Sequence, residues 1–136
     1  GETGRPLPRL TCHGTREVVR RCPALQQLWM FVEDRFEVRA SSCFLNLYRH
    51  GSDFTPHHHD HYSELVVSVS LGAPRDFVLR HKRSGREHRV ELRNGDLCTF
   101  TDTVNGAYTH GIPKSRTSEP RISVVFWCDL PNADCG

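Results

Sequence analysis

From Pro23 onward the apolar residues recur with a helical period. Leu25, Leu28, Trp29 and Val32 stand at i, i+3, i+4 and i+7, which places them on one face of a helix of about three turns. Pro23 suits the first turn, where its missing N–H breaks no bond, and the spacing predicts a helix over 23–35. Such a stripe needs a sheet to pack on. Beyond residue 40 the pattern changes to short runs rich in β-branched and aromatic residues. "SSCFLNLYR" (41–49), "ELVVSVSLG" (64–72), "RDFVLRHK" (75–82), "EHRVELR" (87–93), "LCTF" (97–100), "AYTHGI" (107–112) and "RISVVFWC" (121–128) read as about seven strands. Gly51 and Pro56 bracket a loop, Gly85 lies in a hairpin turn, and "NGD" (94–96) is a strong turn signal. Residues 1–22 show no sustained period and read as a loose lead-in.

One or two N-terminal helices followed by many short strands predict a mainly β fold. The expected form is a jelly roll with a helix on one face and a catalytic β core over 41–128. No internal repeat and no βαβ alternation occurs, which argues against the nucleotide-binding α/β folds. A chain of 136 residues is expected to form a single domain, large enough to bury a core without staples.

Composition adds three points. No run of about 18 apolar residues suggests a membrane span, and no signal-peptide pattern opens the sequence. The six cysteines include no C-x-x-C pair, and Cys43, Cys98 and Cys128 sit in strand-like apolar surroundings, as buried thiols do. A reducing compartment, cytoplasm or nucleus, is the expectation, with no membrane partner and a monomeric state. Net charge is only +2, yet 16 of the 18 basic residues are arginine, whose planar fork suits phosphate and carboxylate.

The candidate chemistry lies in "TPHHHDHYSE" (55–64), where four of the nine histidines surround one aspartate. A zinc site, a solvated loop and an iron site all fit a His-rich tract. On an extended segment His58 and Asp60 point to the same side, while His57, His59 and His61 face elsewhere. His110, in "YTHGIP", is the candidate third ligand. Two His and one carboxylate on one face form the triad of non-haem Fe(II) oxygenases; a closed zinc site more often recruits four protein ligands. On the last strand Arg121, Ser123, Val125 and Trp127 share one face, opposite Ile122, Val124, Phe126 and Cys128. From that face Arg121 would point into a barrel mouth and hold a carboxylate.

Four separated segments then carry a family resemblance. "NLYRHGSDFTPHHHD", "SVSLGAPRDFVLRHK", "NGDLCTF…YTHGIP" and "PRISVVF" resemble, in order, the core of AlkB-like Fe(II)/2-oxoglutarate dioxygenases. The resemblance implies a double-stranded β-helix. It implies that His58, Asp60 and His110 bind iron, that Arg121 binds the distal carboxylate of 2-oxoglutarate, and that Asn46, Tyr48 and Ser123 attend the co-substrate. The activity implied is oxidative demethylation of N-alkylated nucleobases in DNA or RNA, with O2 consumed. Two positions depart from the family pattern. Trp127 stands where a second Arg is expected, and Tyr62 where several members carry an acidic residue that reads the base.

Tyr62 and Trp127 are candidate walls for a flipped base. Arg83, Arg86 and Arg89, in the hairpin "RHKRSGREHR" (80–89), are candidate phosphate contacts. Two other readings keep the same core: an oxygenase acting on a protein side chain, and a metal-binding module that has lost turnover, which Trp127 would favour.

Overall fold

Residues 7–131 are described by a computed structural model, and within them nine strands and three helices follow one another. Their order is β1 (Leu10–Gly14), α1 (Arg16–Arg20), α2 (Pro23–Phe36), β2 (Arg39–Tyr48), β3 (Thr55–His58), β4 (Leu65–Gly72), β5 (Arg75–His81), β6 (Glu87–Leu92), β7 (Leu97–Thr101), α3 (Asp102–Ala107), β8 (Tyr108–Ile112) and β9 (Arg121–Asp129). The strands form two antiparallel sheets. The larger has the order β1-β2-β9-β4-β7 and the smaller β3-β8-β5-β6. This is the predicted jelly roll.

The layers follow from the side-chain alternation. On β9, Val124, Phe126 and Cys128 face α2 and are buried with Trp29 and Val32. Trp29 meets Phe126 edge to face, with ring centroids 5.8 Å apart. Each apolar side chain of this size contributes about 1.5–3 kcal/mol when fully buried, so the amphipathic stripe of α2 holds the helix to the larger sheet. The other face of β9 carries Arg121, Ser123, Val125 and Trp127 toward the smaller sheet. β4 lies beside β9 in the middle of the larger sheet and is covered on both faces, which is why "LVVSVS" reads as nearly continuous rather than cleanly alternating. Cys43 and Cys128 lie in the helix-facing core, where burial pushes the first thiol up to about 11 and the second to about 12.

Three expectations are corrected. The lead-in is not loose over residues 10–20: β1 pairs with β2 from Leu10↔Leu47 to Gly14↔Cys43, and Thr15 caps α1 by accepting from the Val18 N–H. Four of the five β1 residues are exposed, so its sequence has no apolar row to reveal it; the edge of β2 supplies its reason to be extended. The segment between Gly51 and Asp60 is not all loop, because Thr55–His58 forms β3. Pro56 is tolerated there since β3 is an edge strand. The run before His110 begins with α3, six residues that are too few to show a helical period. Cys135, and residues 1–6 of the lead-in, lie outside the described residues.

Candidate active site

Strand β3 runs antiparallel to β8 with His58 directly opposite His110. The close approach depends on Gly111, where a Cβ would stand 2.9 Å from the Thr55 carbonyl oxygen and 3.2 Å from the His57 nitrogen. Asp60 follows just beyond β3, and its carboxylate faces the Nε2 atoms of two imidazoles whose ring centroids are 4.3 Å apart. His58 Nε2 is 3.3 Å from Oδ1 and His110 Nε2 is 3.6 Å from Oδ2. The three ligand atoms lie within 4.8 Å of one another.

Neighbouring groups fix each of these side chains. The Asp60 N–H donates to Asn105 Oδ1 at 2.9 Å, and Asn105 Nδ2 donates back to the Asp60 carbonyl at 3.0 Å. His58 Nδ1 lies 2.9 Å from the Pro56 carbonyl, which can only accept. The Nδ1–H therefore points away from the centre, and Nε2 faces it. His110 packs against both Phe77 and Phe100, at ring distances of 5.5 and 5.1 Å.

The electrostatics follow from this packing. Burial first, only partly offset by the Asp60 charge, pushes His110 down to about 4, so it is neutral at pH 7. Burial works to raise Asp60, but the hydrogen bond from His58 and the charges of both imidazoles outweigh it and hold the carboxyl below its usual range. The hydrogen bond to Asp60 raises His58 against burial and the nearby charge of Arg9. An ionised carboxylate beside a neutral imidazole is the state in which these groups ligate a cation.

Opposite the triad is a buried cation. Arg121, 2% exposed, donates from Nη2 to Ser70 Oγ at 2.9 Å, while its buried Nε and Nη1 have no partner among the described residues. Its guanidinium lies 5.2 Å from the centre of the Tyr48 ring, and Tyr48 Oη shares a 2.6 Å hydrogen bond with Thr55 Oγ1. Burial lowers the Arg121 pKa, yet an arginine side chain remains charged. One cavity of about 280 Å³ connects this end to the triad, with Val66, Phe77, Phe100, Ile112 and Val125 as apolar walls. Asn46 lines it and donates to Ser123 Oγ at 3.0 Å.

Of the residues expected at the site, His58, Asp60, His110, Asn46, Tyr48, Arg121, Ser123 and Trp127 all line this cavity. Arg121 sits deep in it rather than at a mouth. Trp127 packs on Phe44 (5.9 Å between rings), with its Nε1 buried and lacking a partner among the described residues. Tyr62 is 77% exposed and does not line the cavity. The hairpin is likewise separate: Arg83 and Arg86 are exposed at its tip, while Arg89 is 2.8 Å from Asp76 in an exposed ion pair.

The 2OG-Fe(II) oxygenase superfamily matches the chain over residues 8–127. The chain belongs to that superfamily. The chain is also similar to the DNA oxidative demethylase ALKBH2 of Bos taurus, 32% identical over 118 residues that cover 74% of this chain and 42% of that protein. The Mus musculus protein of the same name is 33% identical over 101 residues, covering 64% and 42%. The chain thus spans less than half the length of these curated relatives. Among solved structures it is similar to OsALKBH1, with a TM-score of 0.55 and 19% identity over 82% of this chain and 61% of that one. Oxalate oxidase in complex with glycolate gives a TM-score of 0.56 at 14% identity over 94% of this chain and 55% of that one. These two likenesses show a shared fold.

Membership brings iron(II) and 2-oxoglutarate as cofactor and co-substrate, and the residues present fit both. Two imidazoles and a carboxylate converge as a donor set for a divalent first-row ion. The unspent donors of Arg121 suit a carboxylate, since leaving each buried donor unmade costs about 1–3 kcal/mol. Several residues of the site escaped the sequence reading. Asn105 sits in an Asn-Gly pair that resembles a turn, and Arg9 lies in a segment without periodicity. Arg75, which is 2% exposed, donates to the Asp53 and Pro113 carbonyls at 2.7 and 2.8 Å and so ties two loops beneath Tyr48. Only the small residue types around it hinted at a buried side chain there.

Proposed function

We propose that this chain is the catalytic core of an Fe(II)/2-oxoglutarate-dependent dioxygenase that removes alkyl groups oxidatively from nucleobase nitrogens in DNA or RNA. The observation that carries the reading is the pairing, in one cavity, of the His58–Asp60–His110 cluster with the buried Arg121, whose Nε and Nη1 are unspent. The likeness to DNA oxidative demethylases supports the substrate class.

His58, Asp60 and His110 would hold the iron, and Arg121 with Tyr48 would hold the distal carboxylate of 2-oxoglutarate. Iron and co-substrate would supply the oxidising chemistry with O2 as the oxidant: one oxygen atom would go to succinate as 2-oxoglutarate loses CO2, the other would hydroxylate the alkyl carbon, and a hydroxymethyl group on nitrogen would then leave as formaldehyde. The protein's part is to bind and orient. Asn105 and the Pro56 carbonyl fix the triad, Phe77 and Phe100 hold the His110 ring, and the apolar walls exclude bulk water. A strong positive end at Arg121 gives the dianionic co-substrate one direction of entry. Trp127 and Phe44 form a half-buried aromatic wall against which a flipped base can stack.

Cys12, Cys22, Cys43, Cys98 and Cys128 are free thiols, as the reducing cytoplasm or nucleus would keep them. Among the described residues no helix is long and apolar enough to cross a membrane.

The test is succinate release from 2-oxoglutarate under oxygen with Fe(II), with and without an N-methylated oligonucleotide. Turnover stimulated by the oligonucleotide and abolished in His58→Ala is expected. Turnover indifferent to any nucleic acid would transfer the reading to a protein side chain, and undiminished turnover in His58→Ala would remove the iron assignment.

A further inference from the structure

Arg9 is the second arginine among the residues that line the cavity, and it comes from outside the predicted core. It precedes β1, and its Nε donates to Asn46 Oδ1 at 2.8 Å; Asn46 in turn donates to Ser123 Oγ at 3.0 Å. The backbone on both sides of it is fastened. The Phe54 N–H donates to the Pro8 carbonyl at 2.8 Å, and Arg49 Nη2 donates to the Leu7 carbonyl at 3.0 Å. On the other side, the β1–β2 ladder starts at Leu10↔Leu47. Arg9 is thus a half-buried cation delivered to the cavity by a segment whose position is set before any ligand arrives.

Its placement matches the shape of a dicarboxylate. On the cavity face of the sheet, Tyr48 is the register partner of Arg121, and Asn46 is the partner of Ser123. The two rungs are two residues apart, roughly 6.7 Å along the strands. Arg121 stands on the first rung, and Arg9 reaches the second through its Nε–Asn46 hydrogen bond. That separation is comparable to the reach between the two carboxylates of a five-carbon diacid. With one carboxylate on Arg121, the other falls near Asn46. On β9 the remaining cavity-facing residues, Ser123, Val125 and Trp127, carry no charge to meet it, and Asp60 is itself negative.

We propose that Arg9 is the second anion-binding residue of the co-substrate site. With Asn46 it holds the carboxylate adjacent to the 2-oxo group, a charge supplied from the N-terminal segment rather than from position 127. The inference rests on the 2-oxoglutarate-dependent reading above. It makes Arg9 a binding and specificity residue for 2-oxo acids.

The experiment is calorimetric titration of the Fe(II)-loaded chain, without oxygen, using 2-oxoglutarate and 2-oxobutyrate, which keeps the oxo-acid end and lacks the distal carboxylate. The proteins are wild type, Arg9→Met, Arg9→Lys and Arg121→Met. Loss of a charge-assisted hydrogen bond predicts that Arg9→Met weakens 2-oxoglutarate by about tenfold to a hundredfold, and 2-oxobutyrate by a similar factor. Arg9→Lys recovers part of the loss, because the charge returns without the Nε–Asn46 link. Arg121→Met weakens 2-oxoglutarate and spares 2-oxobutyrate.

Binding of 2-oxoglutarate by Arg9→Met within about twofold of wild type overturns the proposal. So does a loss confined to 2-oxoglutarate, which would put Arg9 at the distal end. An equal fall in Fe(II) affinity in Arg9→Met would show a structural role and overturn it as well. If wild type binds Fe(II) but no 2-oxoglutarate, the oxygenase reading itself fails, a result separable from the others.

Discussion

Asn105 shows how one side chain can decide the geometry of a candidate metal site without being one of its ligands. Its amide is complementary to the backbone of Asp60, accepting from the N–H and donating to the carbonyl, so both ends are spent on one residue. Asn105→Asp keeps the acceptor and replaces the donor with a second oxygen against the Asp60 carbonyl. Partners of metal ligands are worth about 10–100-fold in metal affinity, and a loss in that range is expected for Asn105→Asp. Fe(II) or Co(II) titration checks it, and an affinity within a factor of about two of wild type would refute the role. The convergence of His58, Asp60 and His110 was legible only in part: β3 ends at His58, and His59 and His61, expected from parity to face elsewhere, line the cavity as well, whereas parity on β9 does separate Arg121 from the helix-facing row. Asn105 was not legible, because Asn-Gly carries turn chemistry in any sequence and its partner lies 45 residues away.

Between elements, the site depends on how firmly the loop before β3 is tied down. Asp53 is 3% exposed and takes three hydrogen bonds from Arg49: the backbone N–H at 2.8 Å, Nε at 2.8 Å and Nη2 at 3.0 Å. The side-chain hydrogen bond is the larger cause, and together with the backbone bond and the Arg49 charge it overcomes burial to hold the carboxyl at about 2. An unfolded aspartate titrates near 3.9. Because the folded value is the lower one, the stabilisation is fully present above about pH 4 and is lost as pH falls toward about 2. Asp53→Asn is therefore expected to melt lower than wild type at pH 6, with the gap narrowing through that window. Melting curves from pH 6 to 2 check it, and a gap that stays constant would show that the ion pair carries no linkage. The same Arg49 reaches the Leu7 carbonyl, so the loop, the N-terminal segment and β3 are one connected unit. The predicted strands were legible from β-branched runs bounded by Gly, Pro and Asn. β1 and β3 were not, because edge strands that bury little have no apolar row to display.

For the molecule as a whole, the two sheets assign opposite tasks to their outer sides. α2 closes the larger sheet, and the β5–β6 hairpin extends from the smaller one, close in the fold to the triad because β5 pairs with β8. Arg80 is 2.7 Å from Glu87 and Arg89 is 2.8 Å from Asp76, so two of the hairpin's arginines are already partly neutralised. Arg83 and Arg86, exposed at the tip, make no ion pair among the described residues. With a net charge of only +2, any grip on nucleic acid must come from such local groups rather than from a global field. Each phosphate neutralised contributes about −0.9 to the slope of log affinity against log salt on duplex DNA, and about −0.7 on a single strand. Replacing both Arg83 and Arg86 with Gln should flatten that slope by about 1.4–1.8 and weaken binding without regard to sequence. Succinate release at saturating oligonucleotide should be unchanged, because neither residue lines the cavity. Arg89→Gln should change the slope less, since Asp76 already competes with phosphate for that guanidinium. Oligonucleotide affinity measured from 50 to 300 mM salt decides the matter. An unaltered slope in the double variant would show that the hairpin is merely solvated and that the substrate is held at the cavity alone.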